Sequence, residues 1–221
     1  PNLLAGQVGI RYGVFTAAVD EVHICVRGNG GHTARPHSTT DPIHAATMLV
    51  SQLYQLLPRS VDVRDASVFT VGRIQGGYAS NVIPDEVSIV GTLRATDATS
   101  RGDLMNCLRS TCDHLAALTG NEIDVQFRHS LSSVVNSRPE TSAFELASRQ
   151  VVGDDGVELL DRPSMGGEDF AYMLEERPGA YLFLGQGEGA GLHHPEYDFN
   201  DDAAPYGASF FARLIEKVNH L

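Results

Sequence analysis

The order of periodic segments between residues 18 and 130 constrains the fold more than any other feature of this chain. From Val22 to Arg27 the residues alternate, V-H-I-C-V-R, which puts Val22, Ile24 and Val26 on one face of a half-buried strand. After the turn Gly28-Asn29-Gly30-Gly31, Asp41 serves as N-cap with Pro42 at the first helical position. Ile43, Ala46, Val50, Leu53 and Leu57 then recur at helical spacing as far as Pro58. Strands are predicted over 68–74 and 87–96, the second with Val87, Ile89, Gly91 and Leu93 on one face. Ser100-Arg101-Gly102-Asp103 reads as a capping box opening a helix whose stripe, Leu104, Leu108, Thr111, Leu115 and Leu118, ends at Gly120. Ile123, Val125 and Phe127 supply a fourth strand. Strand, helix, strand, strand, helix, strand is the split βαβ order of ferredoxin-like domains, in which two helices cover one face of a four-stranded antiparallel sheet.

The fold class expected is therefore α+β, with this domain at residues 18–130. The remainder, 131–221, changes character: 143–152 and 205–219 read as helices and 179–185 as a short apolar strand, joined by long loops rich in Gly, Pro and acids. Loops of that length in a compact domain are more often functional than idle. Residues 1–17 are too few for a domain, and together with 131–221 they make an undersized α/β layer lacking most of its strands. The first residue is Pro, not Met, which suggests a missing beginning.

Charge narrows the function. A net charge of -12 with no Lys/Arg cluster excludes a nucleic-acid binder, which needs a basic face. The imbalance is local: between Gly153 and Asp202 stand 13 Asp/Glu against 2 Arg, a stretch that attracts cations. Apolar runs fall short of the roughly 18 to 20 residues of a membrane span, so no membrane is expected. Three cysteines with no C-x-x-C pair imply a reducing, cytoplasmic setting and buried small hydrophobes, not a disulfide framework.

Several constellations bear on chemistry. His32 and His37 sit in a polar loop directly after the first strand, where a histidine can polarise an anion or bind metal, although on residue chemistry alone a turn with solvated side chains is the favoured explanation. His193-His194-Pro195 lies among Glu196, Asp198, Asp201 and Asp202; imidazole with carboxylates suits a borderline metal, yet Zn²⁺ wants three or four protein ligands. If that segment is extended, the adjacent histidines point to opposite sides and only one reaches a given ion. Gly166-Gly167-Glu168-Asp169 enters a short helix, where the helix dipole alone favours acids. Arg94 shares a strand face with Thr92 and Thr96, able to grip a carboxylate or simply to face solvent. Gly185-Gln186-Gly187-Glu188-Gly189-Ala190 matches a dinucleotide fingerprint by letter, but no helix opens after it to receive a pyrophosphate.

Taken together, Gly30-Gly31-His32 to His37, Asn81-Val82-Ile83-Pro84, Gly91-Thr92-Leu93-Arg94, Ser164 to Phe170, and His193-His194-Pro195 to Asp202 resemble the M20 metallopeptidases. The nearest branch looks like the hippurate hydrolase and indole-acetyl-amino-acid hydrolase amidohydrolases. The resemblance implies a zinc-type α/β catalytic domain interrupted by a ferredoxin-like lid that often mediates dimerisation. It assigns His193 to the last metal ligand, His32 to oxyanion stabilisation, Asn81 and Arg94 to the substrate's oxyanion or carboxylate, and Glu168 to the substrate pocket. The ion it implies is zinc, or manganese, cobalt or nickel. The family's remaining ligands, a Cys-x-His pair, a Glu-Glu pair and a further His, have no counterpart in these 221 residues. The expectation is thus a chain comprising a catalytic-domain remnant (1–17), the lid (18–130) and the C-terminal part of the catalytic domain (131–221). Its parent activity is hydrolysis of N-acyl amino acids or peptides, of amidohydrolase or carboxypeptidase type, in a homodimer joined through the lid. Alone, such a chain is expected to be inactive. The alternative is a non-catalytic lid and dimerisation module.

Overall fold

The structure is a computed structural model describing residues 3–218, with a mixed α/β fold. Its elements in chain order are β1 (Val8–Ile10), β2 (Gly13–Val14), β3 (Ala18–Arg27), β4 (Gly31–His32), α1 (Pro42–Leu56), β5 (Ser67–Gly76), β6 (Val82–Ile83), β7 (Glu86–Ala95), α2 (Ala98–Thr119), β8 (Glu122–Leu131), β9 (Val135–Asn136), α3 (Arg138–Val152), β10 (Val157–Leu159), α4 (Ala171–Glu176), β11 (Phe183–Leu184) and α5 (Ala204–Val218). The chain forms two compact units: Ala17–Ser132, and the flanking segments up to Thr16 and from Ser133 onward.

In the inner unit the sheet order is β5-β7-β3-β8, and every neighbouring pair is antiparallel. Period-2 alternation decides which side is buried. Val22, Ile24 and Val26 of β3 and Val87, Ile89 and Leu93 of β7 form one core with Leu49 and Leu53 of α1 and Leu108, Cys112 and Leu115 of α2. Both helices therefore cover the same sheet face. Gly91 is required where β5 bulges between Val71 and Arg73, because a Cβ there would stand 2.6 Å from the Thr70 carbonyl oxygen.

Two of the differences from the expected boundaries, at the starts of β3 and α2, have a plain physical reason. Strand β3 begins at Ala18, four residues before Val22, because Asp20, an acid on the buried face, breaks the apolar alternation. Its charge is met by Arg101, at 2.8 and 2.7 Å to its two oxygens, and by the Ser130 hydroxyl at 2.5 Å. Helix α2 begins at Ala98, with Asp97 as N-cap accepting from Ser100 N–H at 2.8 Å; Ser100 lies inside the helix.

The outer unit holds a three-stranded sheet, β10-β1-β11, with β1 parallel to β10 and antiparallel to β11. The apolar run 179–185 yields only the two-residue β11, and α3 begins at Arg138, five residues before 143. Helix α3 meets α5 through Phe144 and Phe210, whose rings contact edge-on at 5.1 Å. Phe15, Val134 and Ala171 form a second small core with Tyr181 and Phe183. The expected end of the closing helix at Asn219 lies outside the described residues, as do Pro1 and Asn2. No helix among the described residues is long and apolar enough to cross a membrane.

Candidate functional site

His32 and Asn81 are brought together by a miniature ladder. In β4 and β6, Gly31 faces Ile83 and His32 faces Val82, and the Thr33 amide donates to the Asn81 carbonyl at 3.2 Å. The glycine-rich turn makes this approach feasible: Gly30 N–H donates to Asp85 Oδ1 at 2.9 Å, and a Cβ on Gly30 would lie 2.3 Å from the Ile83 carbonyl oxygen. His32 Nδ1 accepts the Ala34 amide hydrogen at 3.0 Å. A ring nitrogen that accepts carries no hydrogen, so the neutral imidazole is the Nε2–H tautomer, with Nε2 as its donor. Both His32 and Asn81 are exposed. His37 follows in a short 3-10 turn, also exposed.

Arg94 stands apart from this pair within the unit. It is half-buried on β7, facing Val19 and Val68, near the end of the sheet where Ala18 meets Ala95. His32 and Asn81 lie beyond the other end, where Arg27 meets Glu86. Eight residue-to-residue steps along β7, from 86 to 94, separate the two ends, roughly 26 Å at about 3.3 Å per step. An N-acyl amino acid has the backbone length of about two residues, roughly 7 Å.

In the outer unit Glu168 precedes α4, so the helix-dipole explanation does not apply as framed: the first turn of α4 contains no acid. The carboxylate is instead held at both oxygens. Tyr181 OH donates to Oε2 at 3.0 Å and the Phe170 amide approaches Oε1 at 3.4 Å. Burial, then the hydrogen bond to Glu168, push the Tyr181 phenol up to about 12.

His193 belongs to a turn, not to an extended segment. Its φ is +69°, left-handed backbone seldom adopted by a residue with a side chain, and the His194 amide closes the turn onto the Gly191 carbonyl at 3.1 Å. The side-directedness argument for adjacent histidines in a strand therefore does not hold here. His194 Nδ1 accepts from Glu196 N–H at 3.1 Å. A clasp that sequence reasoning missed anchors the loop: Tyr197 OH donates to Gln186 Oε1 at 3.0 Å and the Asn200 side-chain amide donates to the Gln186 carbonyl at 2.8 Å. Gln186 was visible only as part of a nucleotide-like glycine pattern, and no local signal links it to residues eleven and fourteen positions on.

A divalent ion requires three or four protein ligands at a zinc-type site. Among the described residues no three His, Cys, Asp or Glu side chains gather to hold one. His193 is therefore a candidate for one ligand of such an ion, not for a complete site.

The sequence profile of Peptidase family M20/M25/M40 matches residues 1–217. The chain belongs to the M20 family. An N-acetyl-L-cysteine deacetylase of Bacillus subtilis is 32% identical across 100% of this M20 chain and 52% of its own length. The Arabidopsis thaliana protein described as IAA-amino acid hydrolase ILR1-like 2 is 35% identical over 95% of this chain and 49% of its own. A Bacillus subtilis crystal structure described as a dinuclear metal binding peptidase of the M20 family superposes with a TM-score of 0.77 at 27% identity, covering 99% of this chain and 55% of that one. The chain spans about half the length of these relatives.

Proposed function

We propose that this chain carries the substrate-gripping part of a metal-dependent amidohydrolase acting on N-acyl amino acids. One observation carries the reading: beside Asn81, His32 is held as a hydrogen-bond donor by its own loop, the form that stabilises a developing oxyanion. The names of the relatives, an N-acetyl-L-cysteine deacetylase and an IAA-amino acid hydrolase, support an N-acyl amino acid as substrate class. In this reading residues 18–130 are a ferredoxin-like lid and dimerisation domain. Residues 1–17 and 131–221 belong to an α/β catalytic domain, Glu168 lines the pocket and His193 is one ligand of a zinc, manganese, cobalt or nickel ion. A reducing, cytoplasmic setting agrees with three unpaired cysteines.

The separation of Arg94 from His32 and Asn81 supports a homodimer. A substrate spanning roughly 7 Å cannot touch both ends of a strand about 26 Å long, so a site using all three residues draws them from two copies. Mixing His32→Ala chains with Arg94→Ala chains tests this. Each variant alone should bind N-acetyl amino acids more weakly than the parent chain, and the mixture should recover about a quarter to a half of the sites. No recovery on mixing, or no loss from either variant, counts against the shared site.

A second reading, a non-catalytic lid and dimerisation module, is favoured by one observation, the lack of a three-ligand cluster among the described residues. Ligand binding without hydrolysis by the purified chain separates gripping from catalysis.

A further inference from the structure

We infer that Tyr181 is a positioning residue for Glu168, its hydroxyl fixing the carboxylate, and that the buried amide of Asn136 in turn sets Tyr181. The inference rests on the proposal that Glu168 faces substrate.

A glutamate before a short helix has three free side-chain torsions and gains nothing by choosing one orientation unless partners select it. Here two donors do so, and the stronger is Tyr181 OH at 3.0 Å. A phenol can aim a carboxylate only if it is itself immobile. Its ring is wedged against Phe15, Phe170 and Phe183, at centroid distances of 5.5, 5.6 and 6.1 Å. Its backbone is clamped by Asn136, 3% exposed, whose Oδ1 accepts from Tyr181 N–H at 2.7 Å. The Asn136 amide donates both hydrogens, to the Tyr181 carbonyl at 2.8 Å and to the Arg11 carbonyl at 2.9 Å. An amide using both donors and an acceptor is satisfied only in this arrangement, so it resists rotation. The chain of contacts runs from a buried amide, through a caged ring, to one oxygen of a half-exposed carboxylate. Phenylalanine would fill the same ring cage and leave that oxygen unheld.

Burial and Glu168 act together to keep the phenol protonated, with Asp169 adding in the same direction, so the hydroxyl remains a donor throughout the physiological range. The test uses the full chain with 13C-labelled tyrosine, the Tyr181 signal assigned by its loss in Tyr181→Phe. In the parent chain Tyr181 should titrate near 12. In Glu168→Gln, a near-isosteric change at a half-exposed position, the titration should fall while burial and Asp169 still hold it above the usual value of about 10. An unmoved titration in Glu168→Gln overturns the positioning role. N-acetylglycine, added as probe, should shift the Tyr181 signal and bind about tenfold more weakly to Tyr181→Phe, the loss expected when a charged acceptor gives up one hydrogen bond. If the titration falls in Glu168→Gln yet the probe leaves Tyr181 untouched, the substrate reading of Glu168 fails instead, and with it the functional half of the inference.

Discussion

Cys112 and Cys25 show how far residue type alone informs chemistry. Both were expected to be small buried hydrophobes; Cys112 is buried, whereas Cys25, on the face of β3 opposite Ile24 and Val26, is only half-buried. Burial pushes the Cys112 thiol up to about 12 and that of Cys25 to about 11, the latter helped by a hydrogen bond to Glu86. The thiolate is the nucleophile, so a raised pKa leaves both thiols poorly reactive at pH 8. Iodoacetamide at pH 8 should leave both unmodified in the native chain, with Cys25 labelling rising as pH approaches 11; rapid labelling of Cys112 at pH 8 would contradict the packed core. His32 and Asn81 were legible as members of motifs, because the residue types and their order survive in one dimension. The His32 tautomer was not, since it depends on where the Ala34 amide lands after the turn. Nitrogen NMR of labelled histidine should report hydrogen on Nε2 of neutral His32, and an Nδ1–H form would count against its proposed oxyanion role. The left-handed backbone of His193 was equally hidden, for a histidine letter carries no φ.

The elements of the inner unit were legible because their apolar spacing is strong: α1 starts at Pro42 behind Asp41 as the capping pattern requires, and Asp41 accepts from Ile43 and His44 N–H. The misplaced boundaries arise where a polar residue serves the core. Asp20 is 0% exposed, and only a partner on another element, Arg101 of α2, makes an acid tolerable at an inward position of β3. Removing one member leaves an uncompensated buried charge, so Arg101→Ala should lower stability by about 3–5 kcal/mol in urea unfolding. A loss under 1 kcal/mol would show that water reaches the pair. Asp97→Ala, which strips the N-cap of α2, should cost about 1 kcal/mol. In the outer unit β1 and β10 have only three residues each, below the length at which alternation can be recognised, and they were missed for that reason, whereas β11 was legible only as part of the longer apolar run 179–185.

For the molecule as a whole, the two units differ in how completely they justify themselves. Ala17–Ser132 has a four-stranded sheet, two covering helices and a core extending through all six elements. Expressed alone it should unfold in one cooperative urea transition, and Leu108→Ala, which empties a fully buried site, should weaken it by about 2–5 kcal/mol. A broad, non-cooperative transition would show that this unit depends on the rest of the chain. The outer unit holds Glu168 and His193, and among the described residues no three His, Cys, Asp or Glu side chains gather to hold an ion. The most direct measurement incubates the purified chain with an N-acetyl amino acid and zinc, manganese, cobalt or nickel, following both ligand binding and release of the free amino acid. Binding that weakens on His32→Ala, without turnover above the metal-only background, is the predicted result. Sustained turnover by the chain, accompanied by tight stoichiometric metal binding, would contradict it.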